Sequence, residues 1–146
     1  MNKEDFMKVA LKEASKCGID VPCGAVIVKD GKIIAKARNK KEKDKCALYH
    51  AEILAIKKAS KKLKNFRLDE CDIYVTKEPC IMCLGAILSA RIKNLYFGAY
   101  DKKYGIVAKV DELNFNHKCI IEGGVLEKEA SEMLTKFFKK LREKKG

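Results

Sequence analysis

The segment Glu78-Pro79-Cys80-Ile81-Met82-Cys83 constrains this chain more than any other stretch. Two cysteines three residues apart fall on one side of a helical turn, and Pro79 suits the first position of that helix because its missing N–H needs no partner there. The positive end of the helix dipole favours thiolate over thiol, and thiolate is the form that binds metal. By itself a C-x-x-C serves redox pairs, structural zinc and chance about equally well. Its weight comes from His50-Ala51-Glu52 upstream. One imidazole and two thiolates make three ligands, which suits a catalytic zinc that keeps its fourth position for water, whereas a structural zinc usually takes four protein ligands. Residues two apart point to opposite sides of a regular helix. His50 and Glu52 can therefore share a site only if a helix begins right at them, and its first turn is expected there.

With 146 residues the chain fits one domain, 1–146, with a sizeable core. There is no apolar run of membrane-spanning length, and the start, Met1-Asn2-Lys3-Glu4-Asp5-Phe6, is charged without a signal-type apolar region, so a cytoplasmic protein with no membrane partner is expected. The cysteines (Cys17, Cys23, Cys46, Cys71, Cys80, Cys83, Cys119) are odd in number and irregular in spacing, which argues against a disulfide framework. A formal net charge of +12 attracts polyanions, nucleic acid foremost. Apart from Arg38, Arg67, Arg91 and Arg142 the basic residues are all lysines, a bias that equally fits a solvated surface.

Taken in order, Phe6, Val9, Ala10, Ala14 and Cys17 recur at helical spacing, with Gly18 placed to stop an amphipathic helix over 3–17. Ala25–Val28 and Lys32–Ala37 flank Asp30-Gly31, a two-strand hairpin signal. Asn39 ends the second strand before a polar loop. The helix opening at His50 is expected to run to about Ser60, and the lysines Lys57, Lys58, Lys61, Lys62 and Lys64 read as its exposed end. A strand over Asp72–Thr76 leads to the C-x-x-C turn, and the helix from Pro79 to about Ala90 is apolar almost all round, so burial is expected. Asn94–Ala99 reads as a strand parallel to its predecessor if that helix is a crossover. A loop over Tyr100–Gly105, an edge strand over Lys118–Glu122, and a final helix with Leu126, Ala130, Met133, Leu134, Phe137, Phe138 and Leu141 in a stripe complete the chain. The expected fold is an α/β three-layer sandwich: a central mixed sheet of about five strands with helices on both faces.

The H-x-E plus P-C-x-x-C pairing is a known signature of zinc deaminases of nucleobases. With these elements in this order, the sequence resembles the cytidine/deoxycytidylate deaminase superfamily, and within it the bacterial tRNA-specific adenosine deaminases. The likeness runs from Val21-Pro22-Cys23-Gly24-Ala25-Val26 through His50-Ala51-Glu52, Tyr74–Cys80 and Ser89-Ala90-Arg91-Ile92 to Phe97-Gly98-Ala99, Asn116-His117 and Phe137-Phe138. It implies one zinc ion held by His50, Cys80 and Cys83, with Glu52 as proton shuttle while water adds to C6 of adenine. It also implies a base pocket with Asn39 and the backbone N–H of Ala51, lined by Val21 and Cys23. The tRNA anticodon loop is expected on Asp101, Lys103, Phe137, Phe138, Lys139 and Arg142, where unstacked bases and phosphates meet aromatic and cationic groups. At least one of Phe137 and Phe138 should be plain core, and the competing, less favoured reading of Asn39 is a turn residue. A homodimer is implied, with the helix after the C-x-x-C turn near the interface.

Three departures from the family pattern stand out. Cys46-Ala47-Leu48-Tyr49 replaces a frequent Asp-Pro-Thr-Ala, Lys77 replaces a usual Leu, and Tyr100 replaces a common Arg. Cys46 as a fourth metal ligand would close the position water needs. Two other readings compete: deamination of a free base or nucleoside such as guanine or cytosine, and a zinc-stabilised RNA-binding protein without catalysis. The second has no use for Glu52.

Overall fold

In the computed structural model, which describes residues 1–145, Asp30 and Gly31 both adopt left-handed backbone angles (φ 51° and 73°). This is the turn whose twist matches that of a two-residue hairpin. It joins β1 (Gly24–Lys29) to β2 (Lys32–Arg38), antiparallel from Gly24 opposite Arg38 to Lys29 opposite Lys32. On its other side β1 pairs antiparallel with β3 (Cys71–Lys77). Helix α3 (Ile81–Ser89) then crosses over to β4 (Asn94–Ala99), parallel to β3, and β5 (Ile120–Glu122) lies parallel to β4 at the edge. The order β2-β1-β3-β4-β5 is the mixed five-stranded sheet expected.

Alternation along the strands divides the core in two. Ala25, Ile27, Ile73, Val75, Leu95 and Phe97 pack under α2 (Ala51–Leu63) and α3, whereas Val26, Val28, Tyr74 and Tyr96 meet Phe6, Met7 and Ala10 of α1 (Lys3–Ala14) and Val125 before α4 (Glu127–Lys145). Both faces are covered, which is why β1 reads as an unbroken apolar run. No helix among the described residues is long and apolar enough to cross a membrane.

Gly24 lies where α1 presses on β1. A Cβ there would overlap the Ala10 carbonyl oxygen and approach the Ala14 nitrogen to 2.7 Å, and backbone atoms cannot swing aside. Gly24→Ala is expected to cost about 1–3 kcal/mol, toward the upper end, read as a lowered denaturation midpoint.

Several boundaries differ from expectation. Helix α1 stops at Ala14, capped by Ser15, and Gly18 takes its positive φ (62°) in the turn beyond. Helix α2 continues to Leu63, with Lys64 left-handed at its end, and the lysines of its last turns are exposed. Helix α3 opens at Ile81 with Cys80 as its N-cap, so Pro79 precedes the helix instead of occupying its first turn. Nor is α3 buried all round: Cys83, Leu84, Ile87 and Leu88 are, but Ile81 is 62% exposed and Met82, Gly85 and Ala86 are half-buried. Leu84, Ile87 and Leu88 join the core under the sheet, and α2 packs beside the helix. The short 3-10 helix over Val107–Glu112 had no sequence signal. Gly146, the last residue of the expected domain, lies outside the described residues.

Candidate active site

Two helix N-termini meet at the end of the sheet. His50 is the N-cap of α2 and Cys80 that of α3; both are extended (φ −77° in each), and neither side chain caps its own helix. The two side chains turn toward each other instead. His50 Nδ1 lies 3.8 Å from Cys80 Sγ and 3.4 Å from Cys83 Sγ, and the three donor atoms fall within 4.8 Å of one another. Zinc bonds of about 2.0–2.3 Å in tetrahedral array place ligand atoms roughly 3.3–3.8 Å apart, so the donors present fit that ion in spacing and in kind. Because α2 begins at Ala51, Glu52 in its first turn faces the same cavity as His50.

Charge is set by this crowding. A hydrogen bond from the Cys83 thiol, and then one with His50, hold the Cys80 thiol at about 3 against the opposing effect of burial. Cys83 is pushed up by the same bond with Cys80 and by burial. The bond with Cys80 raises His50. Glu52, only 4% exposed, is raised chiefly by burial, while its own backbone amide and His50 oppose the shift. Both helix dipoles present their positive ends here, which favours anionic sulfur and carboxylate.

Above the cluster opens a cavity of about 430 Å³, within the range of small-molecule sites. Val21, Cys23, Asn39, Ala51 and Glu52 all line it, with Lys41, Lys77, Asp101, Tyr104 and Phe138 among the other wall residues. Asn39 lines the cavity and also ties a turn: Nδ2 donates to the Val21 carbonyl (3.1 Å) and Oδ1 accepts from the Lys41 amide (3.1 Å).

The remaining expected contact residues scatter. Asp101 and Phe138 are in the wall. Lys103 is exposed, its ammonium 5.3 Å from the Tyr104 ring centroid. Phe137 meets Phe138 edge-on at 5.3 Å, and neither ring is buried, contrary to the expectation that one is core. The cause is that Ala130 is the last buried residue of α4 among the side chains described, so the rest of its stripe runs partly into solvent. Lys139 and Arg142 are exposed on α4 outside the cavity wall. Cys46 takes no part in the His-Cys-Cys cluster.

Two contributors escaped the sequence reading. Glu78, buried at 8%, accepts hydrogen bonds from the amides of Asp101 (3.0 Å) and Val107 (3.2 Å), tethering the 101–107 loop to the residue two before Cys80. Tyr104 stands on that loop. An acidic residue adjoining a metal turn carries no mark of such a partner, and an aromatic in a charged loop reads as surface.

A carboxylate shielded from water beside a three-donor metal cluster, under a cavity of this size, is what replacing an exocyclic amine by oxygen demands. The class so defined is the hydrolytic deaminases of the cytidine deaminase-like fold. The family model described as MafB19-like deaminase matches residues 1–142. The tRNA-specific adenosine deaminase of Aquifex aeolicus (strain VF5) is 50% identical over 148 residues, covering 97% of each chain. A solved structure from work on A-to-I editing by tRNA:A34 deaminases at the wobble position of transfer RNA aligns with a TM-score of 0.87 at 40% identity, covering 90% of this chain and 100% of the other. Guanine deaminase from Bacillus subtilis aligns with a TM-score of 0.69 at 38% identity, covering 84% and 85%. The chain belongs to the MafB19-like deaminases by its family model and to the tRNA-specific adenosine deaminases by its relatives.

Proposed function

We infer that the protein hydrolyses the 6-amino group of adenosine at the wobble position of tRNA, giving inosine and ammonia, with one zinc ion held by His50, Cys80 and Cys83. The observation that carries this reading is Glu52, buried beside the three donors on the cavity wall. When bound, zinc supplies the Lewis acidity that makes water a nucleophile at neutral pH. Glu52 takes a proton from the attacking water and delivers it to N1 of the adenine ring, then moves the proton of the new C6 hydroxyl to the amine, which leaves as ammonia as the C6–N bond breaks and the C6 carbonyl forms. A carboxyl group raised by burial suits both halves of that shuttle. The Ala51 N–H, first in α2 and without an intrahelical acceptor, is free for the base. Asn39 keeps one amide hydrogen and one lone pair for the same purpose. Val21 and Cys23 contribute apolar wall.

The anticodon loop lies across Asp101, Lys103, Phe137, Phe138, Lys139 and Arg142, and a charge of +12 draws the polyanion in. Residues 1–146 act as one domain, in the cytoplasm. The part-exposed apolar residues Ile81, Met82 and Ala86 of α3, with the exposed Phe115 near Gly85, support a homodimer built there. The likeness to guanine deaminase keeps a free purine as the second reading.

Zinc-loaded protein incubated with an anticodon stem-loop bearing a wobble adenosine is expected to yield inosine and ammonia, and none from free adenosine or guanine. Turnover of guanine without any of the RNA overturns the reading in favour of the second.

A further inference from the structure

Lys77 is the last residue of β3 and shares the face of Val75, toward the cavity. Its ammonium lies 3.2 Å from Asp101 Oδ2. The other oxygen of Asp101 accepts the amides of Lys103 (3.0 Å) and Tyr104 (3.1 Å), and the Asp101 carbonyl accepts the Gly105 amide (2.9 Å). Glu78 takes the Asp101 and Val107 amides from below. Gly105 is obligatory in this packing, since a Cβ there would overlap the Glu78 carboxylate. Every one of these ties leads to Lys77 or Glu78, immediately before Pro79-Cys80, or closes the loop on itself. Tyr104 is thereby placed relative to the metal turn with little freedom.

What is placed is a ring that the core does not use. Tyr104 is 63% exposed, yet it lines the same cavity as Phe138, itself 39% exposed on α4. Lys103 sets a cation over the Tyr104 ring, and Lys41 adds another to the cavity wall. Flat apolar rings edged by ammonium groups are what an unstacked base and its phosphate recognise. One base fills the floor of the cavity, so rings at its mouth meet the neighbour.

We propose that Tyr104 is a stacking site for the nucleotide adjoining the target base, and that Lys77 is a positioning residue that holds Tyr104 there through Asp101. This rests on the reading of the protein as an RNA deaminase. The Lys77 and Asp101 side chains are only 28% and 13% exposed, so the pair is shielded enough from water to hold Asp101 in place.

The test uses zinc-loaded full-length protein and anticodon stem-loops carrying 2-aminopurine on either side of the wobble adenosine. Wild-type binding is expected to quench the probe on one side. Tyr104→Ala abolishes that quench and weakens binding about ten-fold, the effect of losing one base–ring stack, whereas Tyr104→Phe keeps both. Lys77→Met reduces the quench and raises KM with kcat unchanged, and Lys77→Arg restores KM. An undiminished quench in Tyr104→Ala, with inosine still formed, overturns this inference alone. A fall in kcat or stability in Lys77→Met at constant KM removes the positioning role. Failure of the wild-type protein to bind the stem-loop overturns the RNA reading and this one with it.

Discussion

Glu52→Gln is expected to lower kcat by roughly 10²–10⁴-fold while zinc content and fold stay as they are. Glutamine matches the carboxylate in shape and still hydrogen-bonds, but it cannot take up a proton and give it back. Because the same side chain is asked to serve more than one proton transfer, the loss should fall toward the upper end of that range. The substitution also replaces a carboxylate that burial disfavours in its charged form by a neutral group, so the unfolding midpoint should hold or rise. Initial rates of inosine formation, elemental analysis for zinc and a thermal melt on the same preparation separate lost chemistry from lost structure. A variant that deaminates at the wild-type rate would mean that the proton travels another way.

The reason a two-residue spacing can be trusted with that role is local. His50 and Glu52 would diverge on an established helix, and the requirement that a helix start between them was readable before any coordinates. The hairpin was equally legible, because Asp30-Gly31 is one of the few dipeptides that accept two left-handed residues in succession. Parallel pairing of β3 and β4 followed from an intervening helix of crossover length. What stayed hidden depends on partners distant in the chain. Pro79 has the right chemistry for a first helical position, but the neighbouring Cys80 is drawn into the N-cap, facing His50, and the helix starts one residue later. The apolar circumference of α3 and the stripe of α4 record hydrophobicity, and nothing in such a pattern says whether this chain supplies the cover. The 3-10 helix after Ile106 begins at Val107, whose amide is held by Glu78 from another element, a contact no local propensity encodes. Lys77, visible only as a departure from a usual leucine, acquires a meaning once Asp101 is found beside it.

Cys83→Ala carries the second large effect, because it removes a ligand without asking the core to accept a new shape. Cys83 is fully buried (0% exposed) beside His50 and Cys80, and alanine there is smaller and brings no polar atom that needs a partner. Two donors instead of three should weaken zinc by well over 100-fold, beyond what the loss of a supporting hydrogen bond causes, and deamination should fall to background. Chelation distinguishes this from a packing defect. Zinc that binds only the native state raises wild-type stability by mass action, so a chelator should lower the wild-type melting temperature and leave that of Cys83→Ala where it was. The same comparison applies to Cys80→Ala, whose sulfur is half-buried. If either variant kept stoichiometric zinc and its chelator response, the ion would have to be held by other groups, and the case for Glu52 as its neighbour in the reaction would fall with the ligand set. The core itself does not need the ion, since the sheet and both helix layers close around apolar side chains. A zinc-free variant should therefore remain folded, with hydrolysis lost and the base pocket still in place.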